Sequence, residues 1–377
     1  MNSPNFSKSI LIALLVVLLF SIASSAQTSK IVPNVHIADK ADIVVGANRI
    51  ESYIPLINGK NIGIVANNTS VIFRNNIENA NYTHLVDSLQ SLEINIVRVF
   101  APEHGFRGKA DAGETIEDSK DSKTNLPVIS LYGSNEKPTT EQLKGIDVML
   151  FDIQDVGVRF YTYLSTMHYV MEACAENGIP VVVLDRPNPN GHYVDGPVVE
   201  DAYKSFVGLH PVPIVYGMTI GEYAKMINGE KWMDNNLQCH LTVIPLENYT
   251  HNTSYSLPLR PSPNLPNDKS VNLYASLCLF EGTNVSCGRG TEMQFQVFGS
   301  PFLPTDLFDF TFVPKPNFGA KTPKYLDEKC FGLDLSQIKD LHELNFGWLM
   351  DAYNNTAEKD IFFNWTLMNL KGSEPSI

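Results

Sequence analysis

Five short apolar runs, each closed by a polar or charged cluster, constrain this chain more than any other feature. Ile62-Gly-Ile-Val-Ala66 ends in Asn67, Asn68, Thr69 and Ser70. Ile94 to Phe100 is stopped by Pro102, which offers no N–H to a ladder, and runs into Glu103, His104 and Arg107. Val128-Ile-Ser-Leu-Tyr132, Val148-Met-Leu-Phe151 and Pro180-Val-Val-Val-Leu184 follow, and the last two open onto Asp152-Ile-Gln-Asp155 and Asp185-Arg-Pro-Asn-Pro189. Runs this short and rich in β-branched residues are strands, and their continuous apolar character requires a sheet covered on both faces. Helical patterns separate them. Ile50, Ile54 and Ile57 mark a lead-in helix over Ala47 to Asn58, and Leu85, Leu89 and Leu92 share one face of Tyr82 to Leu92. Tyr163 to Asn177 is closed by Gly178 as the residue that ends the helix. The pattern predicts an α/β fold: a Rossmann-like, doubly wound, mainly parallel sheet over residues 45–200.

Beyond about Ser205 prolines and glycines become dense, as in His210-Pro-Val-Pro213 and Arg260-Pro-Ser-Pro-Asn-Leu-Pro266, and periodicity fades. A capping box of Thr219 and Glu222 opens a helix there. Residues 201–377 are expected to form a smaller α+β domain. At the other end, Met1 to Ala26 has a weakly positive lead at Lys8, an apolar run from Ile10 to Phe20 and small polar residues up to Ala26. This is the layout of a secretory signal peptide, too short for a comfortable membrane span, so the chain is expected to be exported to a periplasmic or extracellular space and free of the membrane once cleaved. The five cysteines are widely and irregularly spaced, which suggests at most one or two disulfides, with Cys174 a free thiol on a buried helix face.

Several function classes are disfavoured. A net charge of −13 argues against nucleic acid and anionic lipid as partners. No Gly-x-Gly-x-x-Gly follows the first strand and there is no P-loop, so no nucleotide cofactor is expected. No metal-binding spacing and no Gly-x-Ser-x-Gly string is present either.

A parallel sheet brings the carboxyl ends of its strands to one edge, where open α/β sheets bind their ligands. That edge would gather Asn67, Asn68, Glu103, His104, Asp152, Asp155, Asp185 and Arg186. Clustered carboxylates repel, so one should hold its proton near neutrality and serve as a general acid while another acts as base or nucleophile. Glu103, Glu114 and Asp155 are the catalytic candidates. His104, Arg107 and Asp111 lie in the same loop; Arg159 and Tyr161 follow Asp155; Arg186 and Asn188 follow the fifth strand. Arg289, in Glu281-Gly-Thr-Asn-Val-Ser-Cys-Gly-Arg-Gly-Thr291, would offer a planar fork to a carboxylate. These eight are the substrate-binding candidates.

The strings Arg98-Val-Phe-Ala-Pro-Glu-His-Gly-Phe-Arg-Gly108 and Phe151-Asp-Ile-Gln-Asp-Val-Gly-Val-Arg-Phe-Tyr-Thr-Tyr163 carry a resemblance, with Asp185 to Pro189, Gly217 to Glu222, Pro261 to Asn264 and Glu281 to Thr291. In this order they resemble the NamZ exo-β-N-acetylmuramidase family. The resemblance implies a Rossmann-like N-terminal domain, a smaller C-terminal domain and an active site in the cleft between them. It further implies release of N-acetylmuramic acid from non-reducing ends of peptidoglycan fragments, with the family's catalytic glutamate falling on Glu103. The second catalytic group could be Asp111, Glu114, Asp155 or the substrate's own 2-acetamido group. The family pattern also implies a longer segment after Phe362 than the ending Lys371-Gly-Ser-Glu-Pro-Ser-Ile377. A reading from a different class is a non-catalytic binder of cell-wall fragments, whose carboxylates only hydrogen-bond sugar hydroxyls.

Overall fold

The computed structural model describes residues 42–74, 81–108, 110–111, 113–114 and 118–363. The expected signal peptide and the terminal segment after Phe363 lie outside the described residues.

The expected strands form, within a longer sheet. Its parallel members in chain order are β1 (Ile62–Ala66), β4 (Ile96–Ala101), β6 (Pro127–Ser130), β7 (Val148–Asp152), β8 (Val181–Leu184) and β9 (Leu241–Ile244). Antiparallel β5 (Ser119–Lys120) adds one edge, and the order across the sheet is β5-β6-β4-β1-β7-β8-β9. Every residue of β1, β7 and β8 is buried, as continuous apolar runs require. Alternation sends their side chains to opposite faces. Val65, Phe100, Phe151 and Val183 enter one core, while Ile64, Val99, Leu150 and Val182 enter the other.

Two elements depart from the periodicity. β9 extends the sheet past the fifth predicted strand; its burial is weaker, as suits an edge. The expected helix from Tyr82 begins only at Leu85: Tyr82–His84 (β3) instead pairs antiparallel with Val71–Phe73 (β2), and α2 covers Leu85–Ser91. The leucine periodicity starts at Leu85, so the three residues before it were free to pair.

The other helices are α1 (Ile50–Ile57), α3 (Thr140–Leu143), α4 (Tyr163–Glu176), α5 (Ile220–Gly229), α6 (Asp268–Leu277) and α7 (Gly347–Asn355). α4 is buried over most of its length and ends at Gly178, whose φ of 67° suits the residue that closes a helix. Both halves of the Thr219–Glu222 capping box form at α5. After α6 a separate antiparallel sheet of three strands appears, β10 (Val297–Ser300), β12 (Cys330–Asp334) and β11 (Phe310–Phe312), in that order.

All five cysteines are free thiols, within the expected ceiling of one or two disulfides. Cys174 lies buried on α4, and burial pushes its thiol up; Cys239 is likewise raised, to about 11. No helix among the described residues is long and apolar enough to cross a membrane.

Candidate active site

Glu103 sits two residues past β4, half-buried, on the edge where the strand ends meet. Its carboxyl is held from two directions. The Thr162 hydroxyl, at the N-cap of α4, donates to Oε2 at 2.9 Å, and the Gly113 backbone N–H donates to Oε1 at 2.9 Å. The Tyr132 phenol, just past β6, has its pKa raised by burial and by the negative charge of this nearby carboxyl. Glu281 also acts on Tyr132, so the C-terminal part brings a second carboxylate to this neighbourhood.

His104 takes a left-handed backbone with φ 69° and is buried. Its Nδ1 lies 2.9 Å from the Ala110 carbonyl, which can only accept, so Nδ1 carries the proton. Burial lowers this imidazole's pKa against the pull of Glu103, and Arg289 lowers it further. Gly105 and Gly108 turn the loop back with φ of 77° and 67°. Gly108 packs so closely on Asn68 that an added Cβ would stand 2.4 Å from Oδ1. Asn67, at the end of β1, donates to the Tyr163 hydroxyl at 3.0 Å, and that hydroxyl donates to the Pro261 carbonyl at 3.2 Å. The Pro261–Asn264 stretch is thereby pinned beside the strand ends.

The other expected residues have protein partners. Asp111 Oδ2 accepts from the Lys321 N–H at 2.7 Å, and the Lys321 ammonium pairs with Glu114 at 2.8 Å. That partner holds Glu114 below its ordinary range. The two acids thus dock the Glu103 loop onto the C-terminal part. Asp155 is enclosed: Oδ1 accepts from the Gly157 N–H at 2.7 Å and from the Tyr216 hydroxyl, while Oδ2 is buried with no partner. Its pKa is pushed up to about 6, as expected for one acid of the set, but the cause is burial rather than repulsion between carboxylates. Asp185 also rises to about 6 by burial.

The arginines follow the same pattern. Arg107 grips Asp121 through two hydrogen bonds of 3.0 and 2.7 Å and lies over the Phe106 ring. Arg186 is buried in a two-point pair with Asp152, and Arg159 donates to the carbonyls of Pro197 and Val212. Arg289 pairs with Glu281 at 2.5 Å and packs over Phe295. Tyr161 is buried edge-on to Tyr163 and Tyr274. Asn188 closes its own turn, accepting from the Asn190 N–H and donating to the Met218 carbonyl, both at 2.8 Å. Among the described residues no group of three or more His, Cys, Asp or Glu side chains is placed to hold a metal ion.

This arrangement has counterparts. Two family models, described as the N-terminal and C-terminal parts of exo-β-N-acetylmuramidase NamZ, match residues 62–269 and 272–373. The chain belongs to the NamZ family. The peptidoglycan β-N-acetylmuramidase NamZ of Bacillus subtilis is 40% identical over 338 residues, 81% of this chain and 79% of that protein. Crystal structures of two DUF1343 family proteins of Bacteroides fragilis are similar. One has a TM-score of 0.78 at 45% identity and covers 89% of each chain. The other has a TM-score of 0.67 at 32% identity and covers 85% of this chain and 80% of its own. Membership in the NamZ family makes this protein a glycoside hydrolase.

Within that family frame, three residues in or near the site were not among the candidates drawn from sequence. Tyr132 closes a predicted strand at the same sheet edge and could have been included on that ground. Thr162 stands inside the Phe151–Tyr163 string, and its role depends on where α4 begins. Glu281 heads the string that drew attention to Arg289, and only folding shows that the two pair.

Proposed function

We propose that this protein is an exo-acting β-N-acetylmuramidase, releasing N-acetylmuramic acid from the non-reducing ends of peptidoglycan fragments outside the cytoplasm. Glu103 is its general acid, in a cleft between the sheet-bearing part and the C-terminal part. The observation that carries this reading is the two-point hold on a half-buried Glu103 carboxyl by the Thr162 hydroxyl and the Gly113 N–H, with the Tyr132 phenol near it. A hydroxyl both donates and accepts, so Thr162 can steady this carboxyl with its proton or without it. A general acid needs such indifference, because it gives up the proton as the glycosidic bond breaks. Protonating the departing oxygen removes the need to expel an alkoxide, and such help is worth about a hundredfold to ten-thousandfold.

Asp155 is enclosed by Tyr216 and Gly157, and Asp111 and Glu114 are engaged by Lys321, so each of the three already has a protein partner. This favours water or the substrate's own acetamido group as the nucleophile, an arrangement outside the usual two-carboxylate scheme. The test is release of the chromophore from a chromogenic muramic acid glycoside. Glu103→Gln should fold like the wild type and lose at least about a hundredfold in turnover. Undiminished turnover would remove Glu103 from the mechanism. Nuclear magnetic resonance of the first-formed anomer then separates retention, which acetamido attack produces, from inversion by water.

A further inference from the structure

Muramic acid differs from glucosamine by a lactyl ether ending in a carboxylate, and a site that selects it needs a cation not already spent on the protein. Seven of the eight arginines are hydrogen-bonded within the fold: Arg49, Arg74, Arg98, Arg107, Arg159, Arg186 and Arg289. The exception is Arg260, whose guanidinium is exposed and meets no acceptor among the described residues. On open surface that would mean little. Here Arg260 lines a cavity of about 290 Å³ together with Asn68, Gly108, Pro263, Tyr82 and Phe318. The two aromatic side chains are 41% and 54% exposed, so their ring faces are open to the apolar face of a sugar.

The backbone beneath this arginine is fixed to the catalytic edge. The Arg260 carbonyl accepts from Asn68 Nδ2 at 3.0 Å, and the next carbonyl, of Pro261, accepts from the Tyr163 hydroxyl. Tyr163 follows Thr162, which holds Glu103, and Gly108 closes the loop that Glu103 begins. The cavity and the acid therefore share two supports, the end of β1 and the start of α4.

We infer that this cavity is the subsite for the terminal sugar's carboxylate-bearing lactyl group, with Arg260 as the residue that recognises the carboxylate. This rests on the muramidase reading for its substrate, but it turns from Arg186 and Arg289, each paired with an acid, and from Arg159, which donates to two backbone carbonyls, to an arginine whose guanidinium meets no acceptor among the described residues. A guanidinium matches a carboxylate with two parallel N–H donors, and loss of a charged hydrogen bond of this kind weakens binding about tenfold to a hundredfold.

The experiment measures binding by calorimetry on the mature chain with free N-acetylmuramic acid, its lactyl amide, a muramyl dipeptide and N-acetylglucosamine. The wild type should bind N-acetylmuramic acid at least about tenfold more tightly than the amide or N-acetylglucosamine. Arg260→Met should erase that preference, and Arg260→Lys should restore part of it. Preference retained in Arg260→Met, or absent from the wild type, overturns the inference. Arg260-dependent binding of the dipeptide as tight as that of the acid would also overturn it, because the dipeptide's carboxylates lie beyond an amidated lactyl group. Chromophore release is assayed in parallel. An Arg260-dependent preference without turnover would defeat the muramidase reading and leave the subsite standing; turnover with an unchanged preference in Arg260→Met would do the reverse.

Discussion

Replacing Arg186 with methionine separates a structural role from a substrate-binding one. Its guanidinium is 2% exposed and Asp152, its partner, is wholly buried. Two hydrogen bonds of 2.6 and 2.8 Å join them, and a third, of 2.9 Å, runs to the Val71 carbonyl. Burial already pushes the Asp152 pKa up with the guanidinium in place, so removing the cation strands a carboxyl in an apolar interior. Breaking a buried pair from one side costs about 3–5 kcal/mol, against a total stability of about 5–15 kcal/mol for an ordinary domain. Urea denaturation followed by tryptophan fluorescence should show Arg186→Met destabilised by that amount. The double variant Asp152→Leu, Arg186→Met should recover most of it, because an apolar pair of similar volume has no charge to desolvate. A single variant within about 1 kcal/mol of wild type, or a double variant less stable than the single, would refute the reasoning. An arginine reserved for substrate would behave in the first of these ways.

Further perturbations read other parts of the site. Asp155 binds its proton more tightly folded than unfolded, so its stabilising protonation is fully present below about pH 4 and is lost as pH rises through about 6. Asp155→Asn should remove about 3 kcal/mol of that decline, measured by denaturation at a series of pH values; an unchanged slope would contradict it. Gly108→Ala should destabilise by at least about 1 kcal/mol and slow turnover, because its φ is left-handed and its new methyl meets Asn68 beside the Glu103 loop. Wild-type stability and turnover would show that the loop yields freely. Lys321→Met should leave the melting temperature nearly unchanged, as the Glu114 pair is exposed, yet lower turnover by loosening the loop whose Gly113 N–H holds Glu103. A matched loss of stability and no loss of turnover would place Lys321 outside that role.

The α/β architecture was legible because it rests on local rules. Apolar runs such as Ile62–Ala66 and Val148–Asp152 can be buried on both faces only in a covered sheet, and a strand that ends in Glu103 must present that acid at the sheet's edge. The helix stop at Gly178 and the capping box at Thr219 depend on residues within a few positions of each other, so they too were readable in advance.

Charge was legible and its use was not. Arg107, Arg159, Arg186 and Arg289 look alike in a string of letters, yet each meets a partner that folding delivers: Asp121, the Pro197 carbonyl, Asp152 and Glu281. A guanidinium is available to a ligand only when no acceptor reaches it first, and that depends on distances between segments far apart in the chain. The same holds for the surroundings of Glu103, where the end of β4, the start of α4 and a glycine loop meet at one carboxyl. The chain's pattern dictated that an acid would stand at that edge; only the tertiary arrangement chose the groups that hold it and left Arg260 without an acceptor among the described residues.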